Sequence, residues 1–74
     1  MDRTTLERFL AQVEVQIATA REHVRQQEKL VTNLPPDAAD IDIATRALNV
    51  ARHSLEMYVA DRDRIRRMLE ENPP

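Results

Sequence analysis

The apolar residues of this chain recur with alternating spacings of four and three in two long stretches. The first stretch runs from Leu6 to Leu34 and the second from Ile41 to Leu69. This spacing places each set along one side of an α-helix, as in a coiled-coil seam. We therefore predict an all-α fold of two long helices. The seam positions are Leu6, Leu10, Val13, Ile17, Ala20, Val24, Gln27, Val31 and Leu34 on the first helix, and Ile41, Ala44, Leu48, Ala51, Leu55, Tyr58, Arg62, Ile65 and Leu69 on the second.

Two consecutive prolines, Pro35 and Pro36, separate the stretches. Proline lacks a backbone donor and disfavours helical geometry in the residue before it, so the first helix must end here. We predict a single domain over residues 1–74. Its parts are helix 1 over about residues 4–34, a turn over residues 35–37 and helix 2 over about residues 38–72.

The helix ends carry capping signals. Thr4 followed by Glu7 predicts a capping box at the start of helix 1. Asp37 or Asp40 is expected to be the N-cap of helix 2, and Pro73 and Pro74 mark the end of that helix.

The short turn makes the two helices antiparallel. In the best register Leu6 faces Leu69, Ile17 faces Tyr58 and Leu34 faces Ile41, so every seam residue has a partner. Arg62 interrupts the seam. We expect its methylene groups to cover apolar neighbours while its guanidinium reaches Glu14.

The two flanks of the seam differ in polarity. The charged flank consists of Glu7, Glu14, Arg21, Glu28, Thr45, Arg52, Val59 and Arg66. The apolar flank consists of Phe9, Gln16, His23, Leu30, Ala47, Ser54, Asp61 and Met68, together with Ile43, Val50 and Met57 beside them on helix 2.

One hairpin cannot cover the apolar flank, and such surfaces usually mark interaction sites. We predict a homodimer packed as a four-helix bundle, because closed symmetric dimers are the commonest way to bury an apolar surface. The relative orientation of the hairpins stays open. The alternative is that these are scattered surface residues that need no explanation. The predicted interface residues are Phe9, Leu30, Ile43, Ala47, Val50, Met57 and Met68.

The amino-acid composition limits the kinds of binding site and reaction that the chain can support. The chain has no cysteine and no glycine, so disulfides and glycine-rich phosphate loops are excluded. His23 and His53 are expected on different sides of the hairpin, and no side chains form a recognisable catalytic set. We therefore expect no enzyme activity, no cofactor and no metal. Lacking a signal peptide and a long apolar run, the chain is expected to be cytoplasmic and not to bind membranes.

Nucleic acid is the alternative partner. The net charge of −2 shows no overall basic field. Arginines nevertheless cluster near the end of helix 2 and could contact phosphates. The cluster consists of Arg62, Arg64, Arg66 and Arg67.

Three segments carry a resemblance to known proteins. Leu6-Glu7-Arg8, the stretch 18–27 with Arg21-Glu22-His23 inside it, and the stretch 58–64 resemble short uncharacterised bacterial proteins built of two charged helices. The resemblance implies a bacterial hairpin and supplies no functional residues. The architecture is also similar to the plasmid-copy-control hairpin dimer that binds paired RNA loops, but fold alone does not transmit function.

The first hypothesis is therefore a non-enzymatic interaction module that binds a second copy of itself through the apolar flank and could dock a further protein. The second is a small RNA- or DNA-binding hairpin dimer that uses the arginine cluster.

Overall fold

Two helices joined by a short connection make up the whole structure, a computed structural model that describes residues 1–71. Helix α1 spans Arg3–Asn33 and helix α2 spans Ile41–Glu71, each 31 residues long. They pack side by side into a rod of 57 × 14 × 13 Å. Arg3 in α1 donates a hydrogen bond from Nη1 to the Leu69 carbonyl in α2 at 3.4 Å, so the helices are antiparallel. The predicted all-α, two-helix hairpin is confirmed.

The core lies along the predicted seam. Every seam position is buried or partly buried. In the half of the rod nearer the turn, Val24, Leu48 and Ala51 form one cluster, against which Val31 and Leu55 pack. Burying a Leu, Ile or Val side chain stabilises a fold by about 1.5–3 kcal/mol, so this single row supplies most of the driving force. The buried residues are Leu6, Val13, Ile17, Val24, Ala44, Leu48 and Ala51.

Asp2, rather than Thr4, caps α1. The backbone N–H of Thr5 donates to Asp2 Oδ1 at 2.7 Å, and Asp2 has the extended backbone expected of an N-cap. The capping box predicted at Thr4 and Glu7 is wrong because the helix already begins at Arg3. Hydrogen bonds from the Thr5 side chain and then from its backbone N–H lower the pKa of Asp2 below its usual 3.8.

Helix α1 ends where the prolines require it. Leu34 is extended, with φ −78° and ψ 140°, which is the geometry favoured before a proline. Its N–H still donates to the Leu30 carbonyl at 3.2 Å and so closes the last turn. The predicted end near Asn33 or Leu34 is confirmed.

Helix α2 begins at Ile41, three residues later than predicted. The Ala38 N–H donates to the Pro35 carbonyl at 3.0 Å, and the Ile41 N–H donates to the Ala38 carbonyl at 3.2 Å. These successive tight turns make up the connection, so helical geometry begins only at Ile41. Asp40 then takes the N-cap position, and its carbonyl accepts the bond from Ala44 at 2.9 Å.

The structure describes the C-terminal end of α2 only as far as Glu71. The predicted end at residue 72 and the stop at Pro73 and Pro74 lie outside the described residues. The hydrogen bond from Arg3 satisfies one of the carbonyls that a helix leaves unpaired in its last turn. That cation also sits at the negative end of the α2 dipole, where α2 has no basic residue of its own.

Candidate interaction surface

The residues predicted for the interface all lie exposed on the hairpin. On α2, Ile43, Val50 and Met57 are 67%, 66% and 55% exposed. Leu30, Met68 and Phe9 are 48%, 42% and 40% exposed, and Ala47 is exposed as well. The hairpin therefore leaves a row of large apolar side chains in water.

Helical geometry explains why these side chains lie outside the seam. Each residue advances about 100° around a helix. Leu48 and Ala51 point into the seam and are 6% and 4% exposed, whereas Val50 between them points to one side. Repetition every seven residues keeps Ile43 and Met57 in line with Val50.

Two open grooves run along the apolar flank. A groove of about 370 Å³ at the centre of the rod lies between Val15, Thr19 and His23 of α1 and Val50 and Ser54 of α2. Ala20 and Ala51 border it and leave room for it because their side chains are small.

The second groove has about 320 Å³ and lies nearer the free ends of the helices. Phe9, Asp61 and Met68 line it. Gln16 borders both grooves, so the two lie next to each other along the flank.

The apolar flank carries almost no formal charge. On α1 its members are Phe9, Gln16, His23 and Leu30, none of them an acid, lysine or arginine. On α2 the carboxylate of Asp61 pairs with Arg64 at 3.3 Å, so these opposite charges offset each other. Depletion of charged residues is the compositional mark of the core of a protein–protein interface.

Ion pairs gather elsewhere on the rod. Arg52 of α2 lies 3.8 Å from Glu28 of α1 on the charged flank and joins the two helices there. Arg25 pairs with Glu22 at 3.3 Å on the outer surface of α1. These pairs are about half exposed and solvated, so each contributes little stability. The polarity difference between the flanks is thus a real property of the folded surface.

The arginine cluster does not form one surface. At about 100° per residue, Arg62, Arg64, Arg66 and Arg67 point in different directions around α2. Arg64 is held by Asp61, as described above, whereas Arg66 and Arg67 make no ion pair within residues 1–71. Within the cluster, Arg66 and Arg67 are therefore the arginines that have no competing carboxylate in the described residues.

Arg62 pairs with its neighbour in sequence. Its Nε and Nη2 both lie 3.1 Å from Asp63 Oδ1, and its side chain is 21% exposed. The expectation that its guanidinium reaches Glu14 is wrong, because Asp63 is closer along the same helix. The expected position of Arg62 at the seam is confirmed by its partial burial.

The histidine and carboxylate side chains of residues 1–71 are spread along the rod. Within residues 1–71, no three histidine, aspartate or glutamate side chains come together as a metal site would require. His23 and His53 are both exposed on different helices.

Val15 is the surface residue that the periodicity argument missed. It is 67% exposed and borders the central groove opposite Val50. Its position belongs neither to the seam nor to the rows beside it. The available signal was a lone valine between Glu14 and Gln16 on an otherwise polar surface.

Comparison of the chain with protein-family models, with curated proteins and with solved structures gives no match. Neither helix, within the described part of the chain, has the length and apolarity needed to cross a membrane. The class of protein is defined by its fold, an all-α helical hairpin with one apolar and one charged flank.

Proposed function

We propose that this protein is a non-enzymatic interaction module that binds a second copy of itself through the apolar flank, forming a four-helix bundle. The observation that carries the proposal is the aligned exposure of Ile43, Val50 and Met57 on a face with almost no formal charge. Contiguous apolar patches of this kind mark interaction sites on small proteins.

The total surface of the hairpin supports the need for a partner. Its accessible area is 5590 Å², whereas a compact monomer of this mass exposes about 4,700 Å². The two-helix rod therefore leaves an excess of roughly 900 Å², close to the about 800 Å² that each partner buries in a standard interface. Pairing two rods along one flank would bury about this excess on each chain.

A second copy suits this flank because the flank is compatible with itself. Neutral amides, hydroxyls and apolar side chains meet without charge repulsion, and Arg64 partly offsets the charge of Asp61. The grooves beside Val50 and Phe9 provide recesses for side chains of the partner. Symmetric association also matches the commonest form of oligomer.

The chemistry of the grooves supports binding rather than catalysis. His23 and Ser54 border the same groove, which is where a base and a nucleophile would have to meet. No hydrogen bond joins them anywhere in residues 1–71. The grooves are open along their length, so they do not exclude water as an active site does.

Sedimentation at micromolar concentration tests the proposal. We expect a dimer for the unaltered chain and a monomer for Val50→Glu, because the substitution places an unpaired carboxylate in the interface. The matched control is Asn49→Glu, which adds the same charge to the neighbouring exposed position outside the flank. It should leave the dimer intact, and circular dichroism should show equal helicity in all three proteins.

A fully helical monomer for the unaltered chain at these concentrations would refute self-association. Equal loss of the dimer in both variants would show that net charge, rather than the apolar flank, controls assembly.

Nucleic-acid binding stays a prediction with weaker support. It requires affinity that falls steeply with added salt, since binding releases counterions. We expect titration of a labelled RNA hairpin and a DNA duplex at two salt concentrations to show no such binding. Salt-dependent binding that disappears in an Arg66→Ala, Arg67→Ala variant would favour the arginine cluster instead.

A further inference from the structure

The apolar flank is divided into layers along the rod. Phe9 and Met68 border the groove near the free ends, and Gln16 and Asp61 border it further along. His23 and Ser54 border the central groove. By the same register, Leu30 lies level with Ala47 near the turn.

A symmetric dimer can join these layers in two ways. If the two rods point the same way, each layer meets its own copy. If one rod is reversed end for end, the layer near the free ends meets the layer near the partner's turn, and the two middle layers meet each other.

We infer that the two copies pack end for end, with the two-fold axis crossing the rods near their middle. This inference rests on the proposed self-association and adds its orientation. The reversed orientation follows from two properties of the layers: the charges of their side chains and the volumes of their side chains.

Charge favours the reversed arrangement. Rods that point the same way bring two Asp61 carboxylates into one layer, where each already has only Arg64 as its counter-charge. Reversal separates the carboxylates and places His23 and Ser54 of the partner in the layer of Asp61. Imidazole N–H and hydroxyl groups can donate to a carboxylate, whereas a second carboxylate repels it.

Volume favours the same choice. Rods that point the same way gather two Phe9 and two Met68 side chains at one end, and pair Leu30 with the small Ala47 twice at the other. Reversal gives each end one layer of Phe9, Met68, Leu30 and Ala47. Layers of equal volume fill a bundle evenly, whereas unequal layers leave it crowded at one end and loose at the other.

Distances between spin labels on single introduced cysteines test the orientation, and the chain has no cysteine to interfere. Arg8, Glu22 and Lys29 are exposed and spaced by multiples of seven, in the same row of α1 as Val15, so their sideways separation across the bundle is equal. Position 22 serves as the matched control. Measurement by pulsed electron resonance on each labelled Arg8→Cys, Glu22→Cys and Lys29→Cys protein gives the distance between copies.

Reversed rods add an offset along the rod equal to twice the distance of the labelled residue from the two-fold axis. The pairing of layers places that axis midway between Gln16 and His23 on α1. At 1.5 Å per residue the offset is about 35 Å for position 8, about 8 Å for position 22 and about 29 Å for position 29. We therefore expect clearly longer distances at positions 8 and 29 than at position 22. Equal distances at all three positions would overturn the reversed packing and leave the dimer standing. The absence of any distance between copies, together with a monomer in sedimentation, would overturn the proposed function itself.

Discussion

At the scale of single residues, two side chains at the start of the chain hold the free end of the hairpin. Asp2 accepts the Thr5 N–H at 2.7 Å, and Arg3 reaches across to the Leu69 carbonyl at 3.4 Å. Arg3 also pairs with Glu7 at 3.0 Å. A rod has its free ends far from its turn, so such contacts decide whether the last turns fray.

The cap at Asp2 predicts a specific pH dependence. Because its pKa is lowered in the folded chain, its stabilising contribution is complete above pH of about 3.8 and is lost as the pH falls through the folded-state pKa. Other carboxylates titrate in the same range, so the comparison must be with Asp2→Asn, which keeps an N-cap acceptor without its charge.

Thermal melts followed by circular dichroism between pH 2.5 and 7 measure this effect. The advantage of the unaltered chain over Asp2→Asn should shrink as the acid range is entered. A difference that stays constant over the whole pH range would contradict the role assigned to the Asp2 carboxylate.

At the scale of the helices, three consecutive residues of α2 separate three environments. Asn49 is exposed away from the apolar flank, Val50 is exposed on it, and Ala51 is buried in the seam at 4% exposure. The same substitution made at each of these three positions therefore measures the effect of a charge at the solvent-exposed surface, on the apolar flank and in the core.

We expect Ala51→Glu to destabilise the hairpin itself by about 3 kcal/mol, because it forces a carboxylate into a tightly packed seam beside Val24 and Leu48. Urea denaturation provides the measurement. Asn49→Glu should change the free energy of unfolding by less than about 0.5 kcal/mol, as exposed substitutions usually do. If Ala51→Glu and Val50→Glu lower helicity equally, the division between seam and flank is wrong.

At the scale of the whole molecule, a single row of buried residues must stabilise a rod of 57 Å. Domains of this size bury a modest share of their surface, so association is an effective source of additional stability. If the folded state is the dimer, its stability depends on protein concentration.

A tenfold increase in protein concentration should raise the melting temperature by about 5 °C, since it favours the dimer over the unfolded chains. Melts recorded over a hundredfold range of concentration would show this. Val50→Glu should melt at one temperature throughout that range. A concentration-independent melt of the unaltered chain would contradict the coupling of folding to association.

The periodicity of the chain determined the two helices, the reversal at Pro35 and the buried row. Spacing of four and three fixes which side of a helix is apolar, whatever packs against it. For the same reason it determined that Val50 and Met57 would lie outside the seam. It could not reveal the groove beside Val15, whose position belongs to no apolar row.

Only the tertiary structure decided the contacts that depend on competition among nearby groups. Asp2, rather than Thr4, is the N-cap of α1. The turn around Ala38 precedes α2, which begins only at Ile41. The guanidinium of Arg62 pairs with Asp63 instead of Glu14. Each outcome rests on distances of about 3 Å that residue spacing does not specify. The tertiary structure also showed which residues of α1 and α2 border the same groove. Residue spacing alone does not give this, because neighbours across a hairpin are distant along the chain.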